Sequence, residues 1–279
     1  MSLIDLVVLF ILGLHPDWRE DYCPTVDMNQ EICEEKQNEG LATAQLLAPI
    51  FVQEAERSNL GPTGAFWLAS VAMKENSLKT GDQCIINVTK SKLHSIEELD
   101  PSPAGERRAR LCVQMHGSEQ ISCRSALVLD ETDETIKINY CMAGEVGLFQ
   151  LTRYEATAGT IVPATGEELP ASYRERRERL LDPLVNTSIA AEALSDLADD
   201  CCQTDRQMCL DSWVMFVGAY NTGSCGSTRA FEYARRIDAY YRRGVEYLCS
   251  QQPDADVCPD PEPVEPDPPA DQVEEPTAP

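Results

Sequence analysis

Basic residues are scarce in this sequence. Over its 279 residues, 23 Lys and Arg stand against 47 Asp and Glu, which gives a formal net charge of −24 at pH 7. A nucleic-acid-binding protein needs a basic surface that neutralises phosphates, so we expect no nucleic-acid partner. The same charge would repel anionic polymers at long range and would give little electrostatic steering toward them.

Metal-binding signals and long apolar runs are also missing. The chain has three His and no Cys-x-x-Cys pair, which disfavours a zinc ribbon and a thioredoxin-type redox site. We therefore expect no metal and no cofactor. No apolar run reaches 18 residues, so the sequence predicts no membrane span. A hydrophobic content of 43% is nevertheless enough to build a core.

Cysteine, in contrast, is abundant. Twelve cysteines in a chain of this length, an even number, indicate a disulfide framework of about six bonds and an oxidising compartment. We therefore expect a secreted protein or one of the periplasm or cell envelope. The connectivity cannot be deduced from sequence, although Cys23 and Cys33 are expected to bond to each other or to tether their segment to the domain.

The N-terminus allows two interpretations. Leu3–Leu14 is an apolar run of about the length of a signal-peptide core, but Asp5 interrupts it and no Lys or Arg precedes it. It is therefore either the remnant of a signal peptide or an apolar helix that docks on the domain.

Apolar spacing predicts several helices. From Leu41 to Ala55 the apolar residues recur with helical period, and the turn residues 59–62 should end that helix. Thr63 is positioned to cap the next helix, whose core 65–73 is apolar on nearly every side and should be buried. Further helices are expected at about 184–199, 210–220 and 228–248.

The remaining segments set the domain boundaries. Loops with two short β-like runs, at 126–129 and 135–140, should form a disulfide-pinned insertion that is either irregular or β, with a hairpin as one possibility. A turn and a short helix are expected over 141–159 and a loop-rich stretch over 160–182. The acidic, Pro-rich tail should be disordered and could dock a protein partner. The predicted divisions are an N-terminal lead-in at 1–40, a domain at 41–250 with its insertion at 79–140, and the tail at 251–279.

Four short segments carry the chemistry. They are Glu75-Asn76-Ser77, Gly144–Leu151, Asp182–Asn186 and Gly218–Gly223. In this order they resemble the soluble lytic transglycosylase and goose-type lysozyme family, glycoside hydrolase family 23. That family shows a Glu-Ser pair, a Gly-x-x-Gly-Leu-Met-Gln segment, an Asn that opens a helix, and an Ala-Tyr-Asn-Ala-Gly segment. Each segment alone is a weak signal, whereas the ordered set is fairly specific.

The resemblance implies a fold and a reaction. The fold would be mainly α, a lysozyme-like (α+β) domain. The substrate and partner would be the glycan strands of peptidoglycan, cleaved at the β-1,4 bond between N-acetylmuramic acid and N-acetylglucosamine. Glu75 would donate a proton to the leaving oxygen and then accept one from the C6 hydroxyl, which leaves a 1,6-anhydro end.

The surroundings of Glu75 fit a general acid. It lies at the C-terminal end of the most apolar helix, where burial and the helix dipole both disfavour a carboxylate. We therefore expect the pKa of Glu75 to be raised. The alternative is an exposed Glu on the final helical turn that pairs with Lys74 or Lys79.

Glu145 departs from the transglycosylase pattern, which usually has a small residue there. Goose-type lysozymes carry an acid slightly before the Gly-Leu-Met-Gln segment, where it helps to position the attacking water. Glu145 could be a comparable second catalytic carboxylate, and the enzyme would then be a hydrolase, either a muramidase or a chitinase. The alternative is a solvated loop residue.

A third possibility is of another class. The acidic surface, the long insertion and the Pro-rich tail would also fit a catalytically inactive lysozyme-like module that binds glycan or a protein.

The other site residues follow by position. Tyr220 should place its hydroxyl near Glu75 and so act in catalysis, while Asn186 is more simply a helix N-cap. Gly147 and Gly223 should supply backbone room. Separately, the mixed-charge run Arg174–Arg179 is most simply a solvated helix face, although it could hold a wall carboxylate. The resemblance assigns substrate contacts to Asn76, Ser77, Phe149, Gln150 and Asn221, with Phe149 keeping an apolar wall.

Overall fold

A computed structural model describes most of the chain. It covers residues 1–19, 30–79, 85–100, 107–114, 121–139, 146–151, 156–202, 210 and 213–259. The helices are α1 Leu3–Leu14, α2 Gln30–Arg57, α3 Gly64–Asn76, α4 Tyr173–Leu180, α5 Pro183–Cys201, α6 Ala219–Thr222 and α7 Thr228–Gln251. The strands are β1 Ile85–Thr89, β2 Leu93–Leu99, β3 Arg108–Gln114, β4 Ile121–Glu131 and β5 Thr135–Asn139. None of the helices described combines the length and apolar character needed to cross a bilayer.

Helix α1 packs into the main core, as the docked-helix interpretation predicted. Its start is fixed by Ser2 and Asp5, whose side chains each accept from the other's backbone N–H in a capping box. The Asp that interrupts the apolar run therefore caps the helix. Gly244 of α7 lets the ring of Phe10 approach closely, since a Cβ there would lie 2.5 Å from that ring. The fully buried side chains of α1 include Val7, Phe10, Ile11 and Leu14.

Helices α2 and α3 form the centre of the molecule, with two departures from expectation. Helix α2 begins at Gln30, whereas the sequence predicted a start near Leu41. The prediction missed the first turns because they are polar and largely exposed, so they lack the apolar period that indicates a helix. Thr63 precedes α3, but its side chain makes no capping hydrogen bond. As expected, α3 is buried along nearly its whole length, and it ends at Ser77 in a left-handed conformation.

The insertion is more regular than predicted. Its strands form one antiparallel sheet in the order β1-β5-β4-β3-β2. Cys112 and Cys123 are cross-strand partners on β3 and β4 and are joined by a disulfide. The sheet has a small core of its own, made of Leu111, Ala126, Ile136 and Ile138. The predicted disulfide-pinned β element is therefore confirmed and the irregular alternative is wrong, with the β-like runs lying in β4 (126–129) and β5 (135–139).

One helix prediction also needs correction. The segment expected as one helix at 210–220 contains, over its described part, a 3-10 turn at Trp213–Met215 and the start of the short α6. Since this stretch is short and apolar, its periodicity does not distinguish a helix from a buried turn. Over 141–159 the predicted turn is present at Val146 to Leu151, and the short helix stays a prediction because residues 141–145 and 152–155 lie outside the described residues.

The start of the predicted disordered tail belongs to the domain. Cys258 forms a disulfide with Cys249 of α7, and Ala255 and Val257 pack against the main core. Residues 260–279 lie outside the described residues, and their disorder stays a prediction.

Disulfides occur throughout, as the cysteine count predicted. Cys201 at the end of α5 is bonded to Cys225 in the loop before α7. Cys33 and Cys202 are also disulfide-bonded, and no cysteine is free among those that the structure describes. Cys23, and with it the predicted pairing to Cys33, lies outside the described residues.

Candidate functional site

The turn Val146–Leu151 is the centre of the candidate site. Val146 and Leu151 exchange two backbone hydrogen bonds of 3.0 Å, which close the turn. Gly147 has φ of +76°, and a Cβ there would lie 2.4 Å from Nδ2 of Asn186 and 2.6 Å from the carbonyl oxygen of Leu180. Only glycine therefore fits at this position, for reasons of both conformation and space.

Asn186 holds this turn against α5. Its Oδ1 accepts a hydrogen bond from the backbone N–H of Phe149 at 2.8 Å, and its Nδ2 donates to the carbonyls of Val146 at 3.0 Å and Leu180 at 2.9 Å. The side chain is fully buried, so these bonds satisfy it. The N-cap of α5 is Asp182, not Asn186, so that prediction is wrong.

Tyr220 on α6 reaches the same turn from the other side. Its hydroxyl donates to the carbonyl oxygen of Phe149 at 3.0 Å. Gly218, which immediately precedes α6, lies close to the backbone of α7. A Cβ on Gly218 would come within 2.2 Å of the carbonyl oxygen of Ala230, so a larger residue would not fit there. This close approach brings the Ala-Tyr-Asn segment and the first turns of α7 together.

The end of α3 is bonded to the turn as well. Nδ2 of Asn76 donates to the carbonyls of Gly147 at 3.0 Å and Lys79 at 2.7 Å. Nε2 of Gln150 donates to the same Gly147 carbonyl at 2.6 Å. Together with the bonds of Asn186 and Tyr220, these contacts join all four segments singled out from the sequence.

Glu75 occupies the last turn of α3, and its side chain is 13% exposed. The hydroxyl of Tyr233, a buried residue of α7, donates a hydrogen bond to Oε1 of Glu75. Nζ of Lys74 lies 4.0 Å from the same oxygen and 5.4 Å from the centre of the Tyr233 ring. Glu75 is therefore not an exposed surface residue: it is largely buried, and the Tyr233 hydroxyl and the Lys74 ammonium group lie beside it.

This arrangement can support proton transfer. Burial disfavours the charged carboxylate, whereas the ammonium group and the donated hydrogen bond favour it. The Tyr233 hydroxyl can also accept a hydrogen bond from a protonated carboxyl, so it can hold Glu75 in either protonation state. A group with these neighbours can give up a proton and take one back without moving.

Sequence reasoning missed Tyr233. The signal was available, because Ala230, Tyr233, Ala234 and Ile237 form an apolar stripe with helical period on α7, and all four are buried. A Tyr in such a stripe usually finds a hydrogen-bond partner when it is buried. The sequence could therefore indicate that Tyr233 needs a partner, although not that the partner is Glu75.

The other predicted residues fall into three groups. The side chain of Phe149 is fully buried and packs edge-to-face on Phe51, with ring centres 6.1 Å apart, so it belongs to the core rather than to a substrate-facing wall. Ser77 and Gln150 are half-buried and Asn221 is exposed, and their substrate contacts stay predictions. Glu145 lies outside the described residues.

Comparison with known proteins supports the resemblance drawn from the motifs. The family model described as "Transglycosylase SLT domain" matches residues 138–241, a range that contains the last three of the four segments and lies C-terminal to Glu75. No curated protein and no solved structure matches the chain. The match supports a transglycosylase-like function that acts on peptidoglycan. Residues 138–241 are therefore similar to the transglycosylase SLT domain, which is consistent with the lytic transglycosylase and lysozyme-like family that the motifs resemble.

Proposed function

We propose that this protein is a peptidoglycan lytic transglycosylase with a lysozyme-like fold and with Glu75 as its acid and base. One observation carries the proposal. The largely buried carboxyl group of Glu75 lies at the end of α3 and accepts a hydrogen bond from Tyr233. The next residue, Asn76, is bonded to the turn Val146–Leu151, to which the other two segments are also bonded. The family match over residues 138–241 supplies the substrate class.

In the first step Glu75 acts as the acid. Its carboxyl proton passes to the glycosidic oxygen as the bond between that oxygen and C1 of N-acetylmuramic acid breaks. The bonding electrons leave with the oxygen, and the 2-acetamido group of the same sugar stabilises the positive charge at C1. The carboxylate left on Glu75 is stabilised by the Tyr233 hydroxyl and by the ammonium group of Lys74, 4.0 Å away.

In the second step the same carboxylate acts as the base. It accepts the proton of the C6 hydroxyl while O6 attacks C1 of the same sugar. The products are a 1,6-anhydro end and a strand released with a free hydroxyl, and Glu75 is protonated again. Neither step needs water, a second carboxylate or a cofactor.

The residues around Glu75 mainly position the carboxyl group and the sugar relative to each other. Asn76 is 2% exposed and its amide is bonded to two carbonyls, so we assign it a positioning role rather than a sugar contact. Gln150 and Asn221, which are more accessible, are the proposed sugar contacts. Positioning to within a fraction of an ångström matters, because misalignment of a reacting group by about 1 Å can cost about 100-fold in rate.

An extracytoplasmic setting fits this function. Disulfides persist in oxidising compartments, and the structure holds them in both the helical region and the sheet. Peptidoglycan lies outside the cytoplasmic membrane, so the redox environment and the substrate agree. We therefore propose a secreted or cell-envelope location.

The direct test is Glu75→Gln in the full chain, with Glu246→Gln on the exposed side of α7 as a matched control. We expect Glu75→Gln to lower the initial rate of release from dye-labelled sacculi by at least about 100-fold, since a general acid contributes about 10²–10⁴ in rate. Glu246→Gln should retain the native rate, and circular dichroism should show that both variants fold. Native-like release by Glu75→Gln would contradict the role of Glu75. No release even by the unaltered, oxidised protein would favour a glycan-binding module.

A further inference from the structure

A basic cavity lies between the sheet and α4. Its volume is about 590 Å³, and the described residues that line it include five basic side chains and two acidic ones, Asp130 and Glu178. In the whole chain acids outnumber bases by 47 to 23, so the described lining has the opposite charge balance to the chain. The basic side chains are Arg107, Lys137, Arg174, Arg176 and Arg177.

The sheet side of the cavity contributes Arg107 and Lys137 among its described residues. Arg107 pairs with Glu98 and Glu131, so its charge is largely compensated. Lys137, on β5, is exposed and lines the same cavity. The apolar residues Leu127 and Val128 of β4 lie beside it and can exclude part of the water from a ligand.

The helical wall supplies guanidinium groups. Arg176 is held in place by two backbone carbonyls, since its Nη1 donates to those of Pro170 at 2.8 Å and Ala171 at 3.0 Å. Arg174 is 3.4 Å from Glu178, and both side chains are more than half exposed, so this pair is weak and can exchange for another carboxylate.

The cavity is structurally linked to the candidate site. Helix α4 ends at Leu180, whose carbonyl accepts a hydrogen bond from Asn186, and Asn186 in turn holds the turn that contains Phe149. A ligand held against α4 is therefore bound next to an element that is bonded directly to the catalytic segments.

We propose that this cavity binds the carboxylates of the peptide stem of peptidoglycan. The inference rests on the proposed function, because it assigns a site for the part of the substrate that carries most of its charge. The sugars of a peptide-bearing strand are uncharged, whereas the attached stem has several carboxylates. Guanidinium groups bind carboxylates through paired hydrogen bonds, and a cavity of this size is typical of a short-peptide or small-molecule site.

The first test is direct binding, which does not require catalysis. The full chain is titrated with a free stem tetrapeptide by calorimetry at low salt, and then with the same peptide after its carboxylates are amidated. We expect the double variant Lys137→Gln/Arg174→Gln and the amidated peptide each to lower affinity by at least about tenfold, as expected for losing hydrogen bonds between charged groups. Arg235→Gln/Arg236→Gln, which removes the same charge from exposed positions of α7, should bind as the native protein does. Equal affinity in all of these comparisons would overturn the proposal.

The second test uses cleavage and separates the two proposals. Initial rates are compared on peptide-bearing strands and on strands stripped of peptides by an amidase. The ratio of the two rates should fall about tenfold in Lys137→Gln/Arg174→Gln and stay native in Arg235→Gln/Arg236→Gln. An unchanged ratio in the first variant would overturn the cavity proposal. If no strand is cleaved by any protein, the proposed function fails while the binding test still reports on the cavity.

One competing occupant is the chain's own tail, since residues 260–279 carry seven acids and no Lys or Arg. A full-length variant with those seven acids changed to Asn or Gln addresses it. We expect unchanged affinity for the tetrapeptide. A tenfold rise would mean that the tail and the tetrapeptide compete for the cavity, which would still support the proposal, whereas a tenfold loss would mean that the tail itself helps to bind the peptide and would overturn it.

Discussion

Tyr233→Phe removes a single oxygen next to the proposed catalytic carboxyl. The hydroxyl of Tyr233 donates to Oε1 of Glu75, while the ring, which faces Lys74 at 5.4 Å, is retained in the variant. A hydrogen bond to a charged group contributes about 1.5–3 kcal/mol, and each 1.4 kcal/mol corresponds to a factor of ten in rate. If this bond holds Glu75 in place as it ionises, kcat should fall by about 10- to 100-fold.

The assay is steady-state cleavage of defined glycan strands, with kcat and KM determined separately. We expect the loss in kcat with KM nearly unchanged, because the Tyr233 hydroxyl is bonded to the carboxyl group that ionises during the reaction. The matched control is Tyr241→Phe on the same helix, whose ring stacks on Trp67 with centres 4.3 Å apart. It loses the same atom and should keep the native kcat. Native kcat in Tyr233→Phe, or equal losses in both variants, would refute the positioning role.

Two further predictions concern stability, each measured by chemical denaturation. Gly147→Ala should destabilise the fold by about 2–4 kcal/mol, because the φ of residue 147 is +76° and the added Cβ would lie 2.4 Å from Asn186. Gly226→Ala, whose added Cβ would have no atom within 4 Å, should change stability by less than about 0.5 kcal/mol. Arg57→Met should lower the free energy of unfolding by about 3 kcal/mol or more, since it leaves the fully buried Glu54 without its 2.7 Å ion-pair partner. Glu192→Gln, which alters a half-exposed partner of the same Arg57, should lower it by less than about 1 kcal/mol. Similar effects within either pair of variants would contradict the corresponding argument.

The helices were the more predictable part of the fold. Helix α3 is apolar on nearly every side, and the turn residues Asn59 to Pro62 separate it from α2, so both its existence and its burial follow from the sequence. The sheet was not predictable in the same way. Strand β2 is mostly exposed, and the sheet buries only a few apolar residues in its own small core, so alternation of polar and apolar residues is weak.

The candidate site was predictable as a set of segments but not as a set of contacts. The order of the motifs indicated that Glu75, Gly147, Asn186 and Tyr220 belong together, and hydrogen bonds do join their segments. Which hydroxyl reaches Glu75 depends on how α7 packs against α3, and this is set by tertiary contacts that no local pattern encodes. For the same reason Asn186 looked like an N-cap, although its side chain turns inward to hold a turn distant in sequence.

The chemical identity of the released ends tests the central claim most directly. Sacculi are digested with the oxidised full chain, and the soluble muropeptides are analysed by mass spectrometry, with the Glu75→Gln digest as the blank. Transglycosylation by one carboxylate predicts 1,6-anhydro-N-acetylmuramic acid ends, which are lighter by one water than reducing ends, and predicts their absence from the blank. Reducing ends throughout would contradict the account and would point instead to hydrolysis, with Glu145 as the next residue to change.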